Sequence, residues 1–198
     1  MSETAYLSRR LVLKHTNAER DVQAFADDLG WSRTLEEASD PAHGKAREIM
    51  WASGPASSLH YLEDPVSRHS YLVTRSEDRA EADSLASLAD TRLVIWQPDE
   101  LLAAIDNAAD PVERAVAVIR AGLGSPDEFD DRFFRRIRDA MAHPDPRVRE
   151  AALYATAYSA WPQYLPLLER AAREDPDGER RNDAEILVES FRADEAWP

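Results

Sequence analysis

The sequence predicts an α+β protein in two parts. An N-terminal antiparallel-sheet α/β domain over residues 1–97 is followed by a C-terminal α–α superhelix of about three helical hairpins over residues 98–198. Two observations predict this. Up to about residue 97 the apolar pattern switches between period 2 and period 3.6, and after it only the helical period remains, so Gln97-Pro98 reads as a boundary. In the second part an Asp-Pro couplet recurs at Asp110-Pro111, Asp145-Pro146 and Asp175-Pro176, spaced 35 and then 30 residues, each time between two helical segments.

In the first part, Tyr6–Lys14 is rich in Leu and Val and predicts a strand. Thr16 and Glu19 fit a capping box. Ala18, Val22, Phe25 and Leu29 then follow at spacings of 4, 3 and 4, one face of a helix, and Gly30 suits the left-handed position past its end. Residues 32–45 contain Pro, Gly and Ser and read as a loop with one helical turn. Glu48–Ser53, Ser58–Glu63 and Ser70–Arg75 are strand-like. Gly54-Pro55 and Asp64-Pro65 separate them, which predicts a meander. Ser76 caps a helix from Glu77 to Ala89, with Leu85, Leu88 and alanines on its apolar face, and Arg92–Trp96 is a last strand. This order places both helices on one face of a mainly antiparallel sheet. Residues 46–53 also permit a helix, which would give the order of a ferredoxin-like fold.

The helical segments of the second part are 99–108, 111–122, 127–143, 146–158, 162–174 and 179–192. The couplets explain their hinges. An aspartate caps the next helix through its side-chain oxygen, and the following proline has the φ of a first helical position and no amide to leave unpaired. In HPDPRVREAALYA (143–155), Pro144 ends one helix and Pro146 starts the next. Ala115, Ala151, Ala152 and Ala184 let neighbouring helices approach closely. The expected core comprises Phe129, Phe133, Ile137 and Met141 with Phe134 and Ala140; then Leu165, Leu168 and Ala172; then Ile186, Leu187 and Phe191. Gly122-Leu-Gly124 reads as a helix cap and turn.

These residues resemble a known family. DPRVREAA, with Asp145, Val148, Arg149 and Ala152, is similar to the Asp…Val-Arg-x-x-Ala signature of HEAT repeats. DPVERAV keeps Asp110, Val112 and Ala115 but is one residue shorter and lacks Arg after Val, and DPDGERRNDA has no Val. The resemblance covers about residues 98 to 192 and implies an armadillo-type fold. It also implies that the helices after the Asp turns, 111–122, 146–158 and 179–192, line the concave side.

Composition limits the function. The net charge is −14, which repels nucleic acid and acidic membranes and attracts a basic partner. There is no cysteine, which excludes disulfides, thiolate nucleophiles and sulfur-ligated zinc. Apolar runs such as Leu93–Trp96 fall far short of the roughly 20 residues of a membrane helix, and MSETAYLSRRLVLKH lacks a signal peptide's order. A cytoplasmic protein is expected. The 22 Arg against 2 Lys, with abundant Ala and Asp, suggest a GC-rich bacterial genome.

Catalytic and metal motifs do not emerge. No GxxxxGK[ST] or GxSxG is present. Pairing about a centre near residue 66 sets His60 opposite Leu72 and His69 opposite Glu63, so the two imidazoles do not converge on a metal. No cofactor is expected. The cluster Arg132, Arg135, Arg136, Arg138, Arg147 and Arg149 resembles the basic face with which HEAT-like glycosylases grip DNA. However, residues 98–198 carry 13 Lys/Arg and 22 Asp/Glu, a net of −9, and Asp131–Arg135 and Arg135–Asp139 are spaced for helix-surface ion pairs. Tyr154, Tyr158, Trp161 and Tyr164, spaced 4, 3 and 3, either form an interface or pack between hairpins. Arg149, Tyr154, Tyr158 and Trp161 are the candidate partner-binding residues. The expected function is a non-enzymatic protein-binding module or scaffold. The alternatives are an acidic immunity or inhibitor protein against a basic toxin or nuclease, and a HEAT-like lyase or glycosylase.

Overall fold

The computed structural model describes residues 5–15, 18–52 and 56–195. The chain divides into two compact units, Met1–Gln97 and Pro98–Pro198.

The N-terminal unit is a sheet with helices on one face. Its elements are β1 (Tyr6–Leu7), β2 (Leu11–Val12), α1 (Ala18–Asp28), β3 (Ser32–Glu37), β4 (Arg47–Ala52), β5 (Ser57–Glu63), β6 (Ser70–Ser76) and α2 (Arg79–Arg92). The sheet order is β1-β6-β5-β4-β3, with β2 also on β6, and every pair is antiparallel. Ile49, Trp51, Leu59, Tyr61 and Leu72 alternate along their strands to one face. Val22 and Phe25 of α1 and Ala86 and Ala89 of α2 pack there. Trp51 is fully buried, and its indole N–H donates to Gln23 Oε1 at 2.9 Å.

Several expectations change. Residues 32–37 form edge strand β3 rather than a loop: their polar side chains hide the strand, and pairing with β4 decides it. Residues 47–52 are a strand, which removes the ferredoxin-like order. The single strand Tyr6–Lys14 is two short ones, separated at Ser8, whose hydroxyl accepts the Thr74 N–H at 3.0 Å. Helix α2 is capped by Asp78 and not Ser76, which ends β6, and it runs on to Arg92. Its buried face is Ala82, Ala86 and Ala89, leaving Leu88 exposed. What remains of the last strand is one bridge, Leu13 to Ile95. Gly30 has φ 70°, and the Trp31 N–H reaches back to Ala26 O, closing α1 as its sequence predicts. The Thr16 cap and the Gly54-Pro55 breaker lie outside the described residues.

The C-terminal unit contains α3 (Pro98–Asp106), α4 (Pro111–Leu123), α5 (Asp131–Met141), α6 (Pro146–Ser159), a 3-10 turn (Pro162–Tyr164), α7 (Leu165–Glu174) and α8 (Gly178–Glu195). The hairpins are α3–α4, α5–α6 and α7–α8, and the second helices α4, α6 and α8 pack in succession. Asp110 accepts the Val112 and Glu113 amides, and Asp145 accepts that of Arg147. Asp130 caps α5, so the segment expected from residue 127 becomes helical only at 131. That leaves Phe129 before the helix and 44% exposed. Phe133, Ile137, Leu168 and Phe191 are buried as predicted, whereas Ile186 is 58% exposed and Val188 takes its place inside. Of Gly122-Leu-Gly124, Gly124 caps α4 as expected, whereas Gly122 is itself helical. A Cβ there would lie 2.5 Å from Ala155 Cα, so its bare backbone is what lets α4 and α6 touch.

Candidate protein-binding face

Counting from each cap aligns the second helices. Asp110, Arg114 and Ala117 on α4 match Asp145, Arg149 and Ala152 on α6. They also match Asp177, Arg181 and Ala184 on α8, where Asp177 accepts the Glu179 N–H. The three alanines are buried. This register replaces the sequence alignment that set Val112 against Val148: Val112 is 50% exposed and Val148 is fully buried. The third repeat therefore keeps the Asp, Arg and Ala positions despite having no Val.

The same count defines an outward stripe. Val112 and Val116 on α4, Tyr154 and Tyr158 on α6, and Ile186 on α8 fall at offsets that a 3.6-residue period brings to one side of each helix. Both valines and Ile186 are exposed, and both tyrosines are half-buried. Stacking of α4, α6 and α8 turns three short stripes into one face. The same helices carry acids: Glu113 on α4, Glu150 on α6, and Glu179 and Asp183 on α8. Arg180 bridges α6 and α8, 2.7 Å from Glu150 and 2.9 Å from Asp183. The Tyr154 phenol is held above its ordinary range, first by burial and then by the charges of Asp183 and Glu150.

The other two candidates lie inside. Arg149 is 7% exposed; its Nε and Nη2 donate to Asp175 at 2.8 and 2.9 Å, and its Nη1 to the carbonyls of His143 and Pro144. It ties the start of α6 to the turn before α8. Together Arg149 and Asp175 form part of the wall of a cavity of about 550 Å3 that also meets Met141, Leu167 and Ala171. Trp161 is 3% exposed, donates to Asp127 O at 3.1 Å, and stacks on Tyr164 with centroids 5.7 Å apart. Phe129 meets its edge, and Phe134 completes the cluster against Tyr164. Burial pushes the Tyr164 hydroxyl far up, with Ser159 opposing the rise.

Each of the six clustered arginines has an acidic partner. Arg132 meets Asp99 and Asp130, Arg135 meets Asp131, and Arg136 meets Asp106. Arg138 meets Asp139, Arg147 meets Asp145, and Arg149 meets Asp175. Asp139 engages Arg138 instead of the expected Arg135. A phosphate backbone would have to displace these carboxylates.

In the N-terminal unit the hairpin register differs by one from the sequence expectation. His60 faces Val73, and Asp64 pairs with His69 through a backbone bond of 2.9 Å. His69 Nδ1 lies 2.7 Å from Ser67 O. His60 instead lies between Glu48, 2.6 Å from Nδ1, and Ser58, 2.7 Å from Nε2. Sequence reasoning missed this group because Glu48 joins it only through strand register; the one local signal was Ser-x-His on a strand. Among the described residues, no group of three or more His, Cys, Asp or Glu could hold a metal ion, and no helix is long and apolar enough to cross a membrane.

Residues 98–189 match the family model for HEAT repeats. No curated protein and no solved structure matches the chain. With its Asp-capped hairpins and stacked second helices, the C-terminal half of this chain is a HEAT-repeat array.

Proposed function

We propose that the C-terminal array is a protein-binding scaffold whose partner is basic. The observation that carries this reading is the stripe Val112, Val116, Tyr154, Tyr158 and Ile186, spread over three stacked helices, with Asp183 and Glu150 acting on Tyr154 by charge. Tyrosines suit such a surface because they present large apolar area with a polar tip and few rotamers to freeze. The net charge of −14 steers a cationic partner and speeds its association. A protein that shields a basic toxin or nuclease is the narrower form of the same reading. Arg149 and Trp161 then support the face from within by holding successive hairpins together.

The test is affinity capture from cognate lysate at low and high salt. Wild-type protein is compared with the Tyr154→Ala/Tyr158→Ala double variant and with Val112→Asp. The reading expects a basic protein that is retained at low salt, released by salt, and lost with both variants. A retained species indifferent to both salt and the variants would refute it.

A further inference from the structure

We propose that Ser58, His60 and Glu48 form a serine nucleophile with its base and orienting acid, which takes up the acyl group of a small ester. The site lies in the N-terminal unit and is independent of the binding role of the repeat array. Ser58 and His60 are two residues apart on β5, so both leave the sheet on the face opposite α1 and α2. Glu48 comes from β4 to the same face: its register partner is Leu62, and that of His60 is Met50. His60 Nδ1 is 2.6 Å from Glu48 Oε1, and His60 Nε2 is 2.7 Å from Ser58 Oγ. With the ring proton on Nδ1 and donated to the carboxylate, Nε2 accepts the serine hydroxyl. This is the chain of contacts that turns a weak hydroxyl into a nucleophile. Two other buried hydroxyls, those of Thr156 and Ser125, donate to backbone carbonyls, Leu153 O and Gly122 O.

Two further features fit. Arg75 faces Ser58 directly across β5 and β6 and so leaves the same side of the sheet. It is half-buried and has no acidic partner among the described residues. Amides within the sheet are engaged in strand pairing, so negative charge developing on a substrate oxygen needs a side-chain cation, which Arg75 supplies. Met50 and Val73 flank His60 on its two neighbouring strands and give the acyl group an apolar setting. Ser58 is 5% exposed, which limits the acyl donor to a small molecule.

The chemistry closes with water alone. Ser58 Oγ bonds to the ester carbonyl carbon while its proton passes to His60 Nε2. The tetrahedral intermediate then collapses, its C–O bond to the alcohol breaks, and the alcohol leaves with that proton. Water, deprotonated by the same nitrogen, cleaves the acyl-serine to a carboxylic acid and restores the hydroxyl.

The test treats the full-length protein with a fluorophosphonate probe and, separately, with p-nitrophenyl acetate, and locates the adduct by peptide mass spectrometry. One adduct per chain, on Ser58, is expected, forming faster at neutral than at acid pH. Ser58→Ala removes it, and His60→Gln slows it by about 100-fold or more. Glu48→Gln, at a positioning residue, displaces the pH profile as well as the rate. Thermal melts establish that each variant is folded. Folded wild-type protein that gains no adduct on Ser58 overturns the proposal, as does labelling of Ser58 at an unchanged rate in folded His60→Gln.

Discussion

Arg149 and Asp175 are joined by two N–H···O bonds of 2.8 and 2.9 Å, across 26 residues of sequence and between consecutive hairpins. Their side chains are 9% and 5% exposed. Arg149→Ala leaves Asp175 as an uncompensated buried charge and should cost about 3–5 kcal/mol. Arg149→Met with Asp175→Leu removes both charges and should cost less than the single change. Urea denaturation of both variants measures this. A loss under about 1 kcal/mol for the single variant would mean that water, not Arg149, satisfies Asp175.

Gly122→Ala sets two effects against each other. Alanine favours a helix over glycine by about 1 kcal/mol. The new methyl would meet Ala155 Cα at 2.5 Å and Ala155 O at 2.8 Å, both backbone atoms that move only if α6 moves. Overpacking of this kind costs about 1–3 kcal/mol or more, so net destabilisation is expected. A raised melting temperature would show that α4 and α6 separate at little cost.

Phe133 is fully buried in α5. Phe133→Ala should lose about 3–5 kcal/mol through lost transfer energy and an unfilled cavity. Phe129→Ala, at a residue 44% exposed, should lose less. Chemical denaturation of the pair checks the difference, and equal losses would contradict the burial.

Stability should fall in acid through the hinge aspartates. The Arg147 side chain, bonded to Asp145, holds that carboxyl down from 3.8 to about 2. At Asp175 burial works upward, but the bonds from Arg149 and from the Asp177 amide hold the carboxyl below its ordinary range. Both groups are depressed on folding, so their contribution is fully present above the unfolded value near 3.8 and is lost as pH falls through the folded values. Urea midpoints taken from about pH 5 down to about pH 2 should decline, and Asp145→Asn should flatten the curve. An identical pH slope in that variant would remove Asp145 from the account.

Most of the helical half was legible because its signals are local. A cap and a first-turn proline act within four residues, so Asp110-Pro111 and Asp145-Pro146 mark helix starts wherever the chain goes next. The period of Phe133 and Ile137 gives the buried face of α5 in the same way. Edge strand β3 was hidden because SRTLEE has little apolar alternation and is fixed by its bonds to β4. Leu88 and Ile186 were misplaced because helical period gives a stripe but not its width, and small alanines won the contact in α2.

The sequence by itself determined the two-part order, the hinges and the repeat, since backbone propensity, capping and periodicity depend on near neighbours. Only the tertiary structure decided that Arg149 is an internal clamp, that Gly122 is a contact point rather than a turn, and that Glu48 meets His60. Each of those depends on residues 12 to 33 positions apart. Pairing over such distances follows from how whole helices and strands pack, which no local pattern encodes.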